Sequence, residues 1–242
     1  IATLTTNKII IRSEGSTFRR NDASFTHESG TVNVNESIET INIASGNTSS
    51  FTMNSGAKTG ILNLRGRLNL SSTGNNNIDF RGGPASYVNY NGTTAQAAIG
   101  GAATYNVLKI NNPTGVSLAA AATIPSLIIG DETPNSVFDE KTFGSITSLS
   151  LKNNSKFISA RPTFNFPATT VLDPNTTLEF NAGGNQTINI GTRSLENVIL
   201  SGSGTKTISR STNGPLNINS FTVNAGVGYM NVNGIVIKGD FS

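Results

Sequence analysis

The chain has 242 residues, of which 36% are apolar and only 13% charged, while 32 Asn, 30 Thr, 27 Ser and 25 Gly make up more than four residues in ten. Without cysteine it has no disulfide framework, thiolate metal site or cysteine nucleophile. Its net charge of +3 is a small excess of scattered basic residues, of which only Arg19 and Arg20 are adjacent to one another, so no nucleic-acid partner is expected, and no apolar run reaches the roughly 20 residues of a membrane span. From the N-terminus, Ile1 to Ile11 lack the basic and apolar regions of a leader and do not begin with Met, so the sequence reads as a processed chain or a fragment. Apolar residues then alternate with polar ones in Thr31 to Asn35, Thr40 to Ile43, Ile61 to Leu64, Thr187 to Ile190 and Leu216 to Asn219, the pattern of strands with one buried face. Asn, Gly and Ser clusters at 45–47, 72–77, 111–115 and 201–204 predict turns between them. The longest weakly polar stretch, Val116 to Ile129, is interrupted by Pro125, and Ala119 to Ala122 is too short to nucleate a helix.

Two internal matches organise these strands. Phe51 to Leu68 returns as Phe221 to Val236 in the pattern F-T-x-N-x-G followed by N-x-x-G-x-x, and Tyr90 to Leu118 aligns without gaps on Phe180 to Ile208, placing Asn91 on Asn181 and Gln96 on Gln186. Repeated strand-turn units predict an all-β parallel β-solenoid (β-helix), read as one elongated repeat domain over 1–242, with rungs of roughly 20 residues stacked about 4.8 Å apart. The alternative is a tandem of β-sandwich modules, since the offset of 90 residues approaches the size of such a unit. In a coil, Val32, Val34, Ile41, Ile43, Leu62, Leu64, Ile188 and Ile190 would fill a thin core, and the intervening Asn and Thr would form outward ladders. Low charge then avoids like-sign repulsion between stacked positions.

Groups able to do chemistry are few. His27 beside Glu28 has the composition of an oriented base, but an isolated histidine is more simply a turn or surface residue, and no second histidine exists for zinc. Asp131, Glu132, Asp139 and Glu140 form the densest acidic cluster. Asp131, Asn135 and Asp139 have offsets suited to calcium, although Ser136 stands where an EF-hand requires glycine and Thr142 where it requires the bidentate Glu. Paired carboxylates of a glycosidase need a separation of about 5 to 9.5 Å, whereas neighbours on a strand point to opposite faces. Tyr87 could stack on a sugar ring, and Tyr90 sits in a matched apolar position and reads as core. Gly100-Gly101 and Gly183-Gly184 lack the following helix and lysine of a phosphate cradle. The threonines keep no constant rung spacing, as an ice-binding lattice would demand.

The segments Phe180 to Ile188, Leu195 to Ile208 and Phe221 to Gly226, together with Tyr90 to Gln96 and Thr104 to Asn112, resemble the repeats of large secreted cell-surface proteins of Bacteroidetes. The resemblance runs from Tyr87 onward with a break between Asp131 and Pro174. It implies export, an extracellular location and a non-enzymatic role in a surface adhesin or filament, with no catalytic residues and no cofactor to transfer. The expected partners are neighbouring repeats or copies joined end to end, and surface glycans. A carbohydrate-binding or carbohydrate-active β-helix is the alternative function, favoured if the acidic residues gather with Tyr87 or Arg81 in one groove.

Overall fold

The computed structural model describes residues 2–13, 22–42, 47–53, 58–70, 75–83, 85–98, 104–211, 216–231, 235–237, 240 and 242. Among these, 25 strands and no helix are present, and every strand pair is parallel. A β-sandwich is built from antiparallel hairpins, so parallel pairing throughout identifies the β-solenoid and removes the sandwich alternative. One circuit runs through Tyr87–Tyr90, Gln96–Ala98 and Thr104–Tyr105, each in a different sheet. The first wall stacks eight strands from Thr3–Ser13 to Thr169–Leu172, with Arg67–Asn69 paired beside them. The second stacks eight from Gln96–Ala98 to Ile235–Ile237. A third is formed by the sheet from Ala23–His27 to Thr104–Tyr105 and, further along, by that from Thr163–Asn165 to Val227–Asn231.

The expected rung length holds in the middle of the chain, where Leu108 lies beside Val88 on one side and Leu127 on the other. The first circuits are longer, since Thr31 is paired with Thr3 and Ile61, and Ile61 with Tyr87. The extra residues go into long bent strands. Gly30–Asn42 pairs in one half with Gly60–Leu64 and in the other with Arg67–Asn69.

Side chains alternate as the sequence predicts: Val32, Val34, Leu62, Leu64, Ile188 and Ile190 are buried. Ile41 is a correction, being 36% exposed while Thr40 and Asn42 point inward. The ladder slips between Thr6 and Lys8, where Asn7 faces two residues, Asn35 and Glu36. One inserted residue moves the following side chains to the other face, so Ile38 takes the core position. Ile43 lies outside the described residues. The inward amide of Asn42 is accommodated by polar neighbours: its Oδ1 accepts from Ser13 at 2.6 Å and Ser49 at 2.7 Å, and its Nδ2 donates to Asn75 O at 3.0 Å.

Two interior stacks of aromatic rings run along the coil. Phe25, Phe51, Phe80 and Tyr105 follow one another at centroid spacings of 5.2, 5.7 and 5.4 Å. Phe138, Phe157, Phe164 and Phe180 form the second, at 6.3, 5.6 and 5.3 Å. Such pairs add about 0.5–1.5 kcal/mol each beyond the apolar area that they bury.

Candidate functional site

Four segments of the first wall end alike: Val32-Asn-Val-Asn35, Leu62-Asn-Leu-Arg65, Val88-Asn-Tyr-Asn91 and Leu108-Lys-Ile-Asn111. Because Val34, Leu64, Tyr90 and Ile110 are in register and buried, the residues between and after them form two outer columns. The column Asn33, Asn63, Asn89 is an amide ladder. Asn63 Nδ2 donates to Asn33 Oδ1 at 2.8 Å and Asn89 Nδ2 to Asn63 Oδ1 at 3.1 Å, and the ladder continues diagonally through Asn111 Nδ2 to Asn89 Oδ1 at 3.0 Å. Asn35, Arg65, Asn91 and Asn111 form the second column, which runs to the corner where the chain leaves the first wall for the second after Tyr87–Tyr90 and Val107–Ile110.

This corner holds a polar groove of about 530 Å³, lined by that second column and by Gly66, Thr93, Thr94, Glu132 and Thr133. Its lining comes from five successive circuits, so at about 4.8 Å per rung it extends roughly 19 Å along the axis. The floor is tightly made. A side chain on Gly66 would collide with Glu36 O, and one on Gly92 with Arg65 O and the Gln96 amide. Gln96 is buried behind the groove and ties three circuits together, donating to Leu64 O at 2.9 Å and Gly66 O at 2.5 Å and accepting from Gly92 N at 2.9 Å and Asn112 Nδ2 at 2.8 Å. Gln186, its partner in the internal match, repeats the device by donating to Ser159 O and Arg161 O and accepting from Ala182 N. Asn111 Oδ1 fixes the far rim by accepting from the backbone of Glu132 and Thr133.

Beside the groove stands the acidic cluster. Lys109 Nζ lies 2.6 Å from Asp131, 3.4 Å from Glu132 and 4.2 Å from the centre of the Tyr87 ring. Burial opposes the charge of Lys109, but its hydrogen bond to Asp131 and the nearby negative charge outweigh this and hold its pKa above the ordinary lysine value. Burial raises the pKa of the Tyr87 hydroxyl. Asp131 and Glu132 meet on one lysine, against the expectation of opposite faces, because they occupy the bend after Ala122–Ile129. Asp139 and Glu140 do diverge: Asp139 accepts from Lys141 N and pairs with Lys141 Nζ at 2.5 Å, while Glu140 is fully buried.

The residues considered for calcium thus have separate settings. Asp131 is held by Lys109 and Asn111, and Asp139 by Lys141. Asn135 is an exposed turn residue with φ 58°, and its register neighbours Asn154 and Asn175 repeat that conformation at 60° and 64°. Among the described residues no three acidic or histidine side chains gather as a metal site. His27 is buried, with Nε2 3.1 Å from Gly30 O and its pKa lowered by burial, while Glu28 is exposed. Tyr90 is core, as expected, and Arg81 pairs with Asp79 at 2.5 Å. Gly183 and Gly184 are in an exposed turn, whereas Gly100, Gly101, Arg19 and Arg20 lie outside the described residues. Asn35, Arg65, Lys109 and Asn111 were not singled out from the sequence. Aligning the four segments above would have found them. No protein-family model matches this chain, and no curated protein or solved structure does.

Proposed function

We propose that this chain is a non-enzymatic, extracellular structural and adhesive β-repeat protein, a shaft belonging to a cell-surface fibre or filament. The observation that carries the reading is the stacking of eight parallel strands in each long wall, with amide and aromatic columns continuing from circuit to circuit. Such a coil is stiff along its axis and presents the same surface repeatedly, which is what a fibre or an adhesive stalk requires. The resemblance to secreted surface repeats points the same way. Electron microscopy of the native material tests it: filaments with a regular axial repeat are expected, and isolated compact particles would remove the fibre from the proposal.

A second reading, recognition of a carbohydrate by this shaft, is favoured by the groove and by the gathering of Asp131 and Glu132 with Tyr87 around Lys109. Amide and hydroxyl groups at a corner spanning five circuits suit the hydroxyls of a glycan chain. Binding rather than hydrolysis is the better fit, because both carboxylates at this site are occupied by Lys109. The strongly raised carboxyl, Glu140, is enclosed with Ser159 and does not line the groove.

A further inference from the structure

We infer that the corner groove recognises an acidic polysaccharide whose sugars carry carboxylates, with Arg65 as the residue that reads the carboxylate. The inference rests on the carbohydrate-binding reading and adds the class of sugar. Arg65 is the one charged residue in the column Asn35, Arg65, Asn91 and Asn111, and the one cation lining the groove. It is exposed, and among the described residues its guanidinium has neither an ion pair nor a hydrogen bond. The acidic residue on the far rim, Glu132, makes no ion pair with it: Glu132 is directed to Lys109 Nζ at 3.4 Å and accepts from Asn89 Nδ2 at 3.4 Å. The groove therefore offers one unpaired fork of donors, suited to a planar carboxylate, among amides and hydroxyls suited to sugar hydroxyls, with Glu132 at the far rim turned to Lys109.

The same arrangement separates carboxylated from densely sulfated chains. A polysulfated ligand is held by many cations and binds with a steep salt dependence, whereas this groove supplies a single arginine. A polyuronate needs only one of its carboxylates at Arg65, with those of the flanking sugars left in solvent. Arg65 stands in the two-residue bend between Gly60–Leu64 and Arg67–Asn69, where the close backbone approach at Gly66 and Gly92 leaves the floor no room for side chains.

The test is binding of the whole chain to polygalacturonate and alginate, with dextran and mannan as neutral probes and dextran sulfate as a polyanion, measured by affinity electrophoresis and calorimetry. Binding to the two polyuronates is expected, with affinity at least tenfold lower in Arg65→Ala and partly kept in Arg65→Lys. Circular dichroism should be unchanged, since Arg65 is at the surface. Equal binding of dextran or mannan would overturn the assignment of Arg65 and leave carbohydrate recognition standing. Preference for dextran sulfate that disappears in moderate salt would mean unspecific charge attraction and overturn the inference. Binding to none of the probes would end both readings.

Discussion

Glu140 is a carboxylic acid fully buried inside the coil beside Ser159. Its Oε1 accepts from Ser159 Oγ at 2.5 Å, its Oε2 has no partner, and a side chain on Gly144 would occupy the space of that oxygen. Burial is the main cause that raises its pKa from the ordinary 4.5 to about 7; Ser159 and the Arg161 charge act against the shift, and Asp139 adds to it. The consequence for stability follows from proton counting. Below pH 4.5 the carboxyl is protonated folded or unfolded and has no effect on pH dependence. Between 4.5 and 7 the unfolded chain releases the proton and the folded chain keeps it, so stability falls as pH rises, by about 3 kcal/mol in all, and the loss is complete above pH 7. Glu140→Gln keeps the shape without the charge. Thermal melting should show little difference between variant and parent at pH 4 and a gain of several degrees for the variant at pH 8; an equal difference at both values would mean that Glu140 is not held neutral. The acidic cluster containing Glu140 was visible in the sequence. Its inward direction was not, since that depends on Val137–Asp139 placing Phe138 inside and the chain turning immediately afterwards.

The strands owe their stability to columns rather than to individual side chains. Phe157 is fully buried between Phe138 of the preceding circuit and Phe164, which faces it from another wall of its own circuit. Phe157→Ala should cost about 3–5 kcal/mol, read as a lower urea midpoint, because the stacked circuits cannot move together to close the void. A cost below about 1 kcal/mol would mean that the column collapses on itself. Corners are specified as strictly as strands. Ser136, Ser155 and Thr176, each following a turn asparagine, are buried and send their hydroxyls to Thr133 O, Ile129 O and Asp173 O. This asparagine and hydroxyl pair recurs at 135–136, 154–155 and 175–176, so the coil continues there under a different spelling. A third spelling appears at Lys206, which lies in register with Gln186 and donates from Nζ to Ala182 O, Gly184 O and Ser203 O. A buried amide and a buried ammonium both satisfy corner carbonyls, a likeness that residue type conceals.

Along the whole coil, each circuit packs on the one before and the one after, which makes its energetics close to one-dimensional. The void of Phe157→Ala should therefore spread only locally. Hydrogen exchange should lose protection in Val137–Asp139, Lys156–Ser159 and Thr177–Phe180 and retain it in Thr48–Met53 and Asn75–Phe80. A uniform loss would mean that the coil unfolds as a single unit. Charge follows the same geometry: Lys8 pairs with Glu39, Lys109 with Asp131 and Lys156 with Glu179, each across adjacent circuits, so unlike charges meet where a parallel stack would otherwise bring like ones together. The two-residue period, the turn residues and the recurrence of both carry the class of fold, because alternation and repetition are local properties of a chain that buries one face of every strand. They equally place Val34, Leu64, Tyr90 and Ile110 in the core. The groove required three dimensions. Asn35, Arg65, Asn91 and Asn111 are 20 to 30 residues apart and become neighbours only when circuits of unequal length close on the same register, and the single inserted residue that turns Ile41 outward appears only once a second strand is laid beside the first.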